Sequence, residues 1–210
     1  MARGLPRDLA RNPASWYVAA LAVAVPVEGT LSPDRLDRLL AWSSTNLANL
    51  HPWPAGHPVE ALVASAFVPQ DSAWVWPLLA LSTYAVVSLL GARRAVAVLA
   101  LVHVGVTAVT ETMVWWRIRH GSLPASDAHL LDTGPSYLVV AAMAVAVCCA
   151  RAVWTRLLWL VLLGVAAPGL LDGIGDGDCS AVGHVLAFMT GLAVVWSHRR
   201  RRTSPVLRTV

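Results

Sequence analysis

Residues 93–117 read Arg93-Arg94-Ala95-Val96-Ala97-Val98-Leu99-Ala100-Leu101-Val102-His103-Val104-Gly105-Val106-Thr107-Ala108-Val109-Thr110-Glu111-Thr112-Met113-Val114-Trp115-Trp116-Arg117. Between the flanking arginines Glu111 is the only charged residue. As an α-helix, residues 95–116 rise about 33 Å, enough to cross a hydrocarbon layer of roughly 30 Å. Working outward, five further apolar stretches bounded by Arg, Asp, Gly or Pro occur at 15–29, 73–91, 134–150, 153–171 and 179–197. The pattern predicts an all-α, polytopic membrane protein with six transmembrane helices.

Composition points the same way. Of 210 residues, 57% are hydrophobic and 13% charged, which excludes a disordered chain and argues against an ordinary soluble domain. The net charge of +4 comes from 16 Arg and no Lys. These arginines sit in small clusters between apolar runs, a distribution that suits membrane loops rather than nucleic acid. Three Cys, two of them adjacent at Cys148 and Cys149, close neither a disulfide framework nor a four-ligand zinc site.

With six spans both termini share a side. Arg3, Arg7, Arg11, Arg93, Arg94, Arg151, Arg156, Arg199–Arg202 and Arg208 then face Arg35, Arg38, Arg117 and Arg119 across the membrane. Positive residues concentrate on the cytoplasmic side, so both termini are expected there. The expected organisation is one domain over 1–210, with a cytoplasmic N-terminus at 1–14, an outer loop at 31–72 and a basic cytoplasmic tail at 198–210. Residues 1–26 also read as a signal peptide, whose removal would leave five spans. In the outer loop, Ser32-Pro33-Asp34 precedes Leu36, Leu39, Leu40 and Leu47, predicting an amphipathic helix on the outer surface that ends near His51-Pro52. Pro52, Pro54, Gly56 and Pro58 should break the chain before Ala61–Val68. Trp74, Trp76, Trp115, Trp116 and Trp196 fall near span ends, as interfacial anchors do.

Two polar residues stand out by depth. Span four opens Asp132-Thr133-Gly134-Pro135-Ser136-Tyr137, and span six opens Asp178-Cys179-Ser180-Ala181-Val182-Gly183-His184. Both spans run inward, so Ser136 and His184 fall within about a turn of their outer ends. A Ser beside a His is the minimum for a nucleophile and its base. Gly134 permits close backbone approach, Pro135 suits a first helical position, and a helix start at Ser136 supplies free N–H groups as a partial oxyanion hole. As packing residues, Ser136 would cap span four and His184 would be a bonded core histidine. Asp132 either caps span four or orients the histidine, and Asp178 either orients it or sits in outer water. His103, Thr107 and Glu111 share one face of span three. They read as a polar seam facing the bundle, or as an ion path in a small transporter.

Gly134-x-Ser136 at the start of the fourth span, with His184 and Gly191 in the sixth, resembles the rhomboid intramembrane serine proteases. The likeness covers nearly the whole chain. The string Ser44-Thr45-Asn46-Leu47-Ala48-Asn49-Leu50 and the fuller Asp132-x-Gly134-x-Ser136-Tyr137 resemble divergent actinobacterial rhomboid-like proteins. The resemblance implies a six-transmembrane-helix rhomboid-like bundle in a bacterial cell membrane, acting on transmembrane-helix proteins as substrates or clients. It implies Ser136 as nucleophile and His184 as base, with no metal or organic cofactor and no nucleic-acid partner.

The chain also departs from the active members of that family. Tyr137 stands where they carry Gly. The second span, 73–91, lacks the His and Asn that help hold the oxyanion, and the first outer loop lacks their Trp-Arg pair. Each lost oxyanion donor costs on the order of 10² to 10³ in rate. Asn46, Asn49, Ser82 and Thr83 are the substitutes available, with Asn46, Gly134 and Asp132 kept as supporting candidates. Two readings remain open, an intramembrane protease and a catalytically silent relative that binds transmembrane helices.

Overall fold

The computed structural model describes residues 12–51, 56–68, 75–133 and 135–203. Among them the chain is helical without strands: α1 (Pro13–Gly29), α2 (Pro33–Ser43), α3 (Leu47–Leu50), α4 (Pro58–Ser65), α5 (Val75–Leu90), α6 (Ala92–Arg119), α7 (Ser136–Cys149), α8 (Val153–Leu170) and α9 (Cys179–Thr203). Short 3-10 turns at Ala125–His129 and Ile174–Asp176 precede α7 and α9. Helices α1 and α5–α9 coincide with the six apolar stretches. By length and hydropathy α6, α8 and the Cys179–Ser197 part of α9 are long enough to cross a membrane, whereas Pro77–Leu90 and Ser136–Cys149 are shorter apolar helices.

Local chemistry accounts for the boundaries. Asn12 caps α1 by accepting the Ala14 N–H at 2.9 Å, and Pro13 occupies the first turn, where its missing N–H costs nothing. Gly91, at φ +81°, makes the tight turn that lets α5 run directly into α6.

Helix α7 is the axis of the bundle. Every residue from Tyr137 to Ala146 is buried, as expected for a helix apolar on all sides. One side packs Leu138, Val139 and Met143 against Leu21 of α1, Leu79 of α5 and Trp159 of α8. Another packs Val140 and Ala141 against Val102 and Val106 of α6 and Ala187 of α9. At 14 residues α7 rises about 21 Å, short of the hydrocarbon thickness of roughly 30 Å, so its two ends cannot both reach the surface and at least one lies at depth. Conversely, α8 buries only Trp159 and exposes Leu157, Leu158, Val161 and Val165. Contiguous apolar exposure of this kind requires a lipid surrounding.

The outer segment differs from the single amphipathic helix expected. It breaks at Ser44–Asn46, although the Leu spacing continues to Leu47. Tertiary hydrogen bonds override the periodicity: the Thr45 N–H donates to the Asp132 carbonyl at 2.8 Å, and Asn46 starts a new turn by accepting the Asn49 N–H at 3.0 Å. Pro58 opens α4 as its first residue instead of merely interrupting the chain. Similarly, Pro135 is the residue before α7, leaving Ser136 as the first helical position. Trp74, Pro52, Pro54, Gly134 and the terminal segments 1–11 and 204–210 lie outside the described residues, as does the side chain of Trp76.

Candidate active site

Ser136 begins α7, and His184 lies in the second turn of α9. Small residues bring these helices together. A Cβ on Gly191 would stand 2.7 Å from the Ala141 carbonyl oxygen, and one on Gly183 would meet the Tyr137 ring at 2.6 Å. With Ala187 between them, these positions recur every four residues and form one close-packing stripe.

At the top of this contact His184 Nε2 is 3.0 Å from Ser136 Oγ. Its other ring nitrogen, Nδ1, lies 2.7 Å from the Leu170 carbonyl oxygen. A carbonyl only accepts, so Nδ1 carries the proton and donates. In the neutral ring Nε2 therefore presents its lone pair to the Ser136 hydroxyl, the polarity needed to withdraw a proton. Leu170 can supply this acceptor because it ends α8, where the last carbonyls have no partner in the helix. The Tyr137 ring packs edge-on to His184, with centroids 5.3 Å apart, and fixes the imidazole plane.

The intrahelical ladder of α7 starts with the Val139 N–H donating to the Pro135 carbonyl at 3.0 Å. The N–H groups of Ser136, Tyr137 and Leu138 thus precede the ladder and carry the positive end of the helix dipole. They are the donors this arrangement offers to a developing oxyanion.

Of the remaining sequence candidates, Asp132 and Asp178 lie within electrostatic reach of His184, and the others fall elsewhere. Asp132 is the clasp between the outer segment and α7: its N–H donates to Ser44 Oγ at 2.8 Å, and its Oδ2 and carbonyl oxygen accept from Thr45 Oγ1 at 3.0 and 2.9 Å. Burial pushes its carboxyl above the usual carboxylate range, against the hydrogen bond from Thr45. The Asn46 side chain spends Oδ1 on capping α3, and Asn49 donates to the carbonyls of Ala41 and Ser44. In α5, Ser82 Oγ donates to the Leu79 carbonyl. Asp178 caps α9 by accepting the Ala181 N–H at 2.8 Å. His103, Thr107 and Glu111 are all buried on α6, with His103 bonded to Leu62.

Three contributors had no signal in the residue pattern: the Leu170 carbonyl, the Ser44–Thr45 clasp on Asp132, and Gly183 beneath Tyr137. Ser44 and Thr45 enter the sequence reading only within the family-like string Ser44–Leu50, with no role attached, whereas Asn46 enters it as a candidate oxyanion donor. Arg117 on α6 also donates to the Gly177 carbonyl, bracing the turn before α9.

Neither a curated protein nor a solved structure matches the chain. The family model described as rhomboid-like protein matches residues 9–204, so the match takes in every described helix. The chain therefore belongs to the rhomboid-like protein family, whose membrane setting agrees with the lipid-facing surfaces of α8 and with the spanning lengths of α6, α8 and α9.

Proposed function

We propose that the chain is an intramembrane serine protease that hydrolyses peptide bonds of membrane-protein substrates through Ser136 and His184. One observation carries this reading: the 3.0 Å approach of Ser136 Oγ to an imidazole whose opposite nitrogen is tied to the Leu170 carbonyl. In the reaction His184 Nε2 takes the Ser136 proton as Oγ attacks the scissile carbonyl, and returns it to the leaving amine. The oxyanion is met by the N–H of Ser136 and the neighbouring free N–H groups of α7. Asp132 acts indirectly, by clasping the outer segment over the start of α7.

The setting we propose is a single six-span domain, α1 and α5–α9, in a bacterial cell membrane with both termini cytoplasmic and residues 31–72 on the outer side. That orientation follows the arginine distribution and brings the Ser136 end of α7 to outer water. The substrates are then transmembrane-helix proteins presented from the lipid.

A second reading, a silent relative that binds transmembrane helices, is favoured by the bulk of Tyr137 against Gly183 and by the lack of His and Asn in α5. Fluorophosphonate labelling separates the two. A protease labels at Ser136 in the wild type and loses the label in Ser136→Ala and His184→Ala. A folded wild type without label is the silent relative.

A further inference from the structure

No side chain caps the start of α7. In α1, α3 and α9 one of the first N–H groups is taken by Asn12, Asn46 or Asp178, which steadies the first turn but occupies a donor. In α7 the residue before the helix is Pro135, and the N–H groups of Ser136, Tyr137 and Leu138 stay outside the ladder that begins at Val139. Donors left free in this way serve an oxyanion only when something else fixes their direction.

The fixing contacts lie upstream, at Asp132. Its N–H donates to Ser44 Oγ at 2.8 Å, and its carbonyl accepts the Thr45 N–H at 2.8 Å. The Thr45 hydroxyl is shared between that carbonyl at 2.9 Å and Oδ2 at 3.0 Å. Two adjacent residues thus hold both backbone groups of Asp132 and one of its carboxyl oxygens. Ser44 leaves α2 in an extended conformation, at φ −64° and ψ 135°, which frees the Thr45 N–H from the helix to make its bond. At 0% and 2% exposure, Ser44 and Thr45 make these bonds out of reach of competing water.

We infer that Ser44 and Thr45 are positioning residues for the oxyanion side of the Ser136–His184 site, anchoring the start of α7 from outside in place of a side-chain cap. The anchor fixes the helix start through the backbone of Asp132 and consumes none of the three N–H groups. Its catalytic consequence rests on the protease reading, whereas the anchoring itself is measured without activity.

The test uses the full chain in detergent with a fluorophosphonate probe, its inactivation kinetics resolved into the limiting rate and the apparent dissociation constant. Thr45→Val keeps the volume and the backbone bond and removes the hydroxyl, Ser44→Ala removes the acceptor of the Asp132 N–H, and Thr45→Ser keeps the hydroxyl. The expected result is a limiting rate lowered about tenfold or more in Thr45→Val and in Ser44→Ala, a dissociation constant within about twofold of wild type, and recovery in Thr45→Ser. Hydrogen exchange resolved at the Val139 amide, the first of the ladder, should quicken about tenfold in the same two variants and stay at the wild-type rate in Thr45→Ser. An unchanged limiting rate in both folded variants, or a loss that Thr45→Ser shares in full, would overturn the inference. A folded wild type that does not react with the probe removes the protease reading instead; Val139 exchange then decides the anchor alone, and equal exchange in wild type, Thr45→Val and Ser44→Ala would overturn it.

Discussion

Replacing Gly191 by Ala forces apart the two helices that carry Ser136 and His184. The new methyl carbon stands 2.7 Å from the Ala141 carbonyl oxygen and 3.0 Å from the Ala144 Cβ, whereas ordinary contact begins at 3.4 Å. The first obstacle is backbone in the buried stretch Tyr137–Ala146 of α7, so relief requires α7 and α9 to separate by about 0.7 Å. Overpacking of this kind costs about 1–3 kcal/mol. If the helices part as rigid bodies, the 3.0 Å Ser136–His184 distance stretches to about 3.7 Å, outside hydrogen-bond reach. A misplacement of that size lowers serine reactivity by roughly tenfold to 10²-fold. The assay is the rate of fluorophosphonate labelling beside the thermal unfolding midpoint in the same detergent. Ala144→Gly should not rescue the variant, because the carbonyl clash remains. A Gly191→Ala protein with the wild-type midpoint and labelling rate would refute the reasoning.

Three further outcomes are expected. The raised carboxyl of Asp132 is held protonated more firmly in the folded chain than in the unfolded one, so its contribution to stability is fullest below the ordinary carboxylate pKa near 4 and is lost as pH rises through the raised value. Thermal midpoints from pH 4 to 8 should therefore fall less steeply in Asp132→Asn than in the wild type, and parallel curves would contradict this. Nitrogen-15 NMR of labelled histidine should show His184 as the Nδ1–H tautomer, and a proton on Nε2 of the neutral ring in the resting protein would contradict the assigned polarity. Arg117→Ala removes a charged donor from the Gly177 carbonyl, so limited proteolysis should cut within 171–178 about tenfold faster, with unchanged cutting counting against the brace.

The six apolar helices were legible because long, predominantly apolar runs end at Arg, Asp, Gly or Pro, and a helix must satisfy its own backbone in lipid. Ser136 and His184 were legible for a related reason: helical rise places both near the same ends of two helices running in one direction. What could not be read was set by distance along the chain or by backbone groups. The Leu170 carbonyl has no side-chain signature, yet it decides which nitrogen of His184 faces Ser136. The clasp from Ser44 and Thr45 reaches across 88 and 87 positions to Asp132, and it breaks a helix whose Leu spacing alone would continue. Asn46 illustrates a further ambiguity, since an amide able to meet an oxyanion is equally suited to a helix cap, where its oxygen is engaged.

The central claim is that Ser136 and His184 cut peptide bonds of membrane helices. It is tested most directly by co-reconstituting the full chain with a library of single-span membrane proteins and sequencing new peptide termini by mass spectrometry. The account predicts new termini toward the outer end of some spans with the wild type and none with Ser136→Ala. Spans that associate with the wild type but yield no new terminus would contradict it and identify a helix-binding relative without protease chemistry.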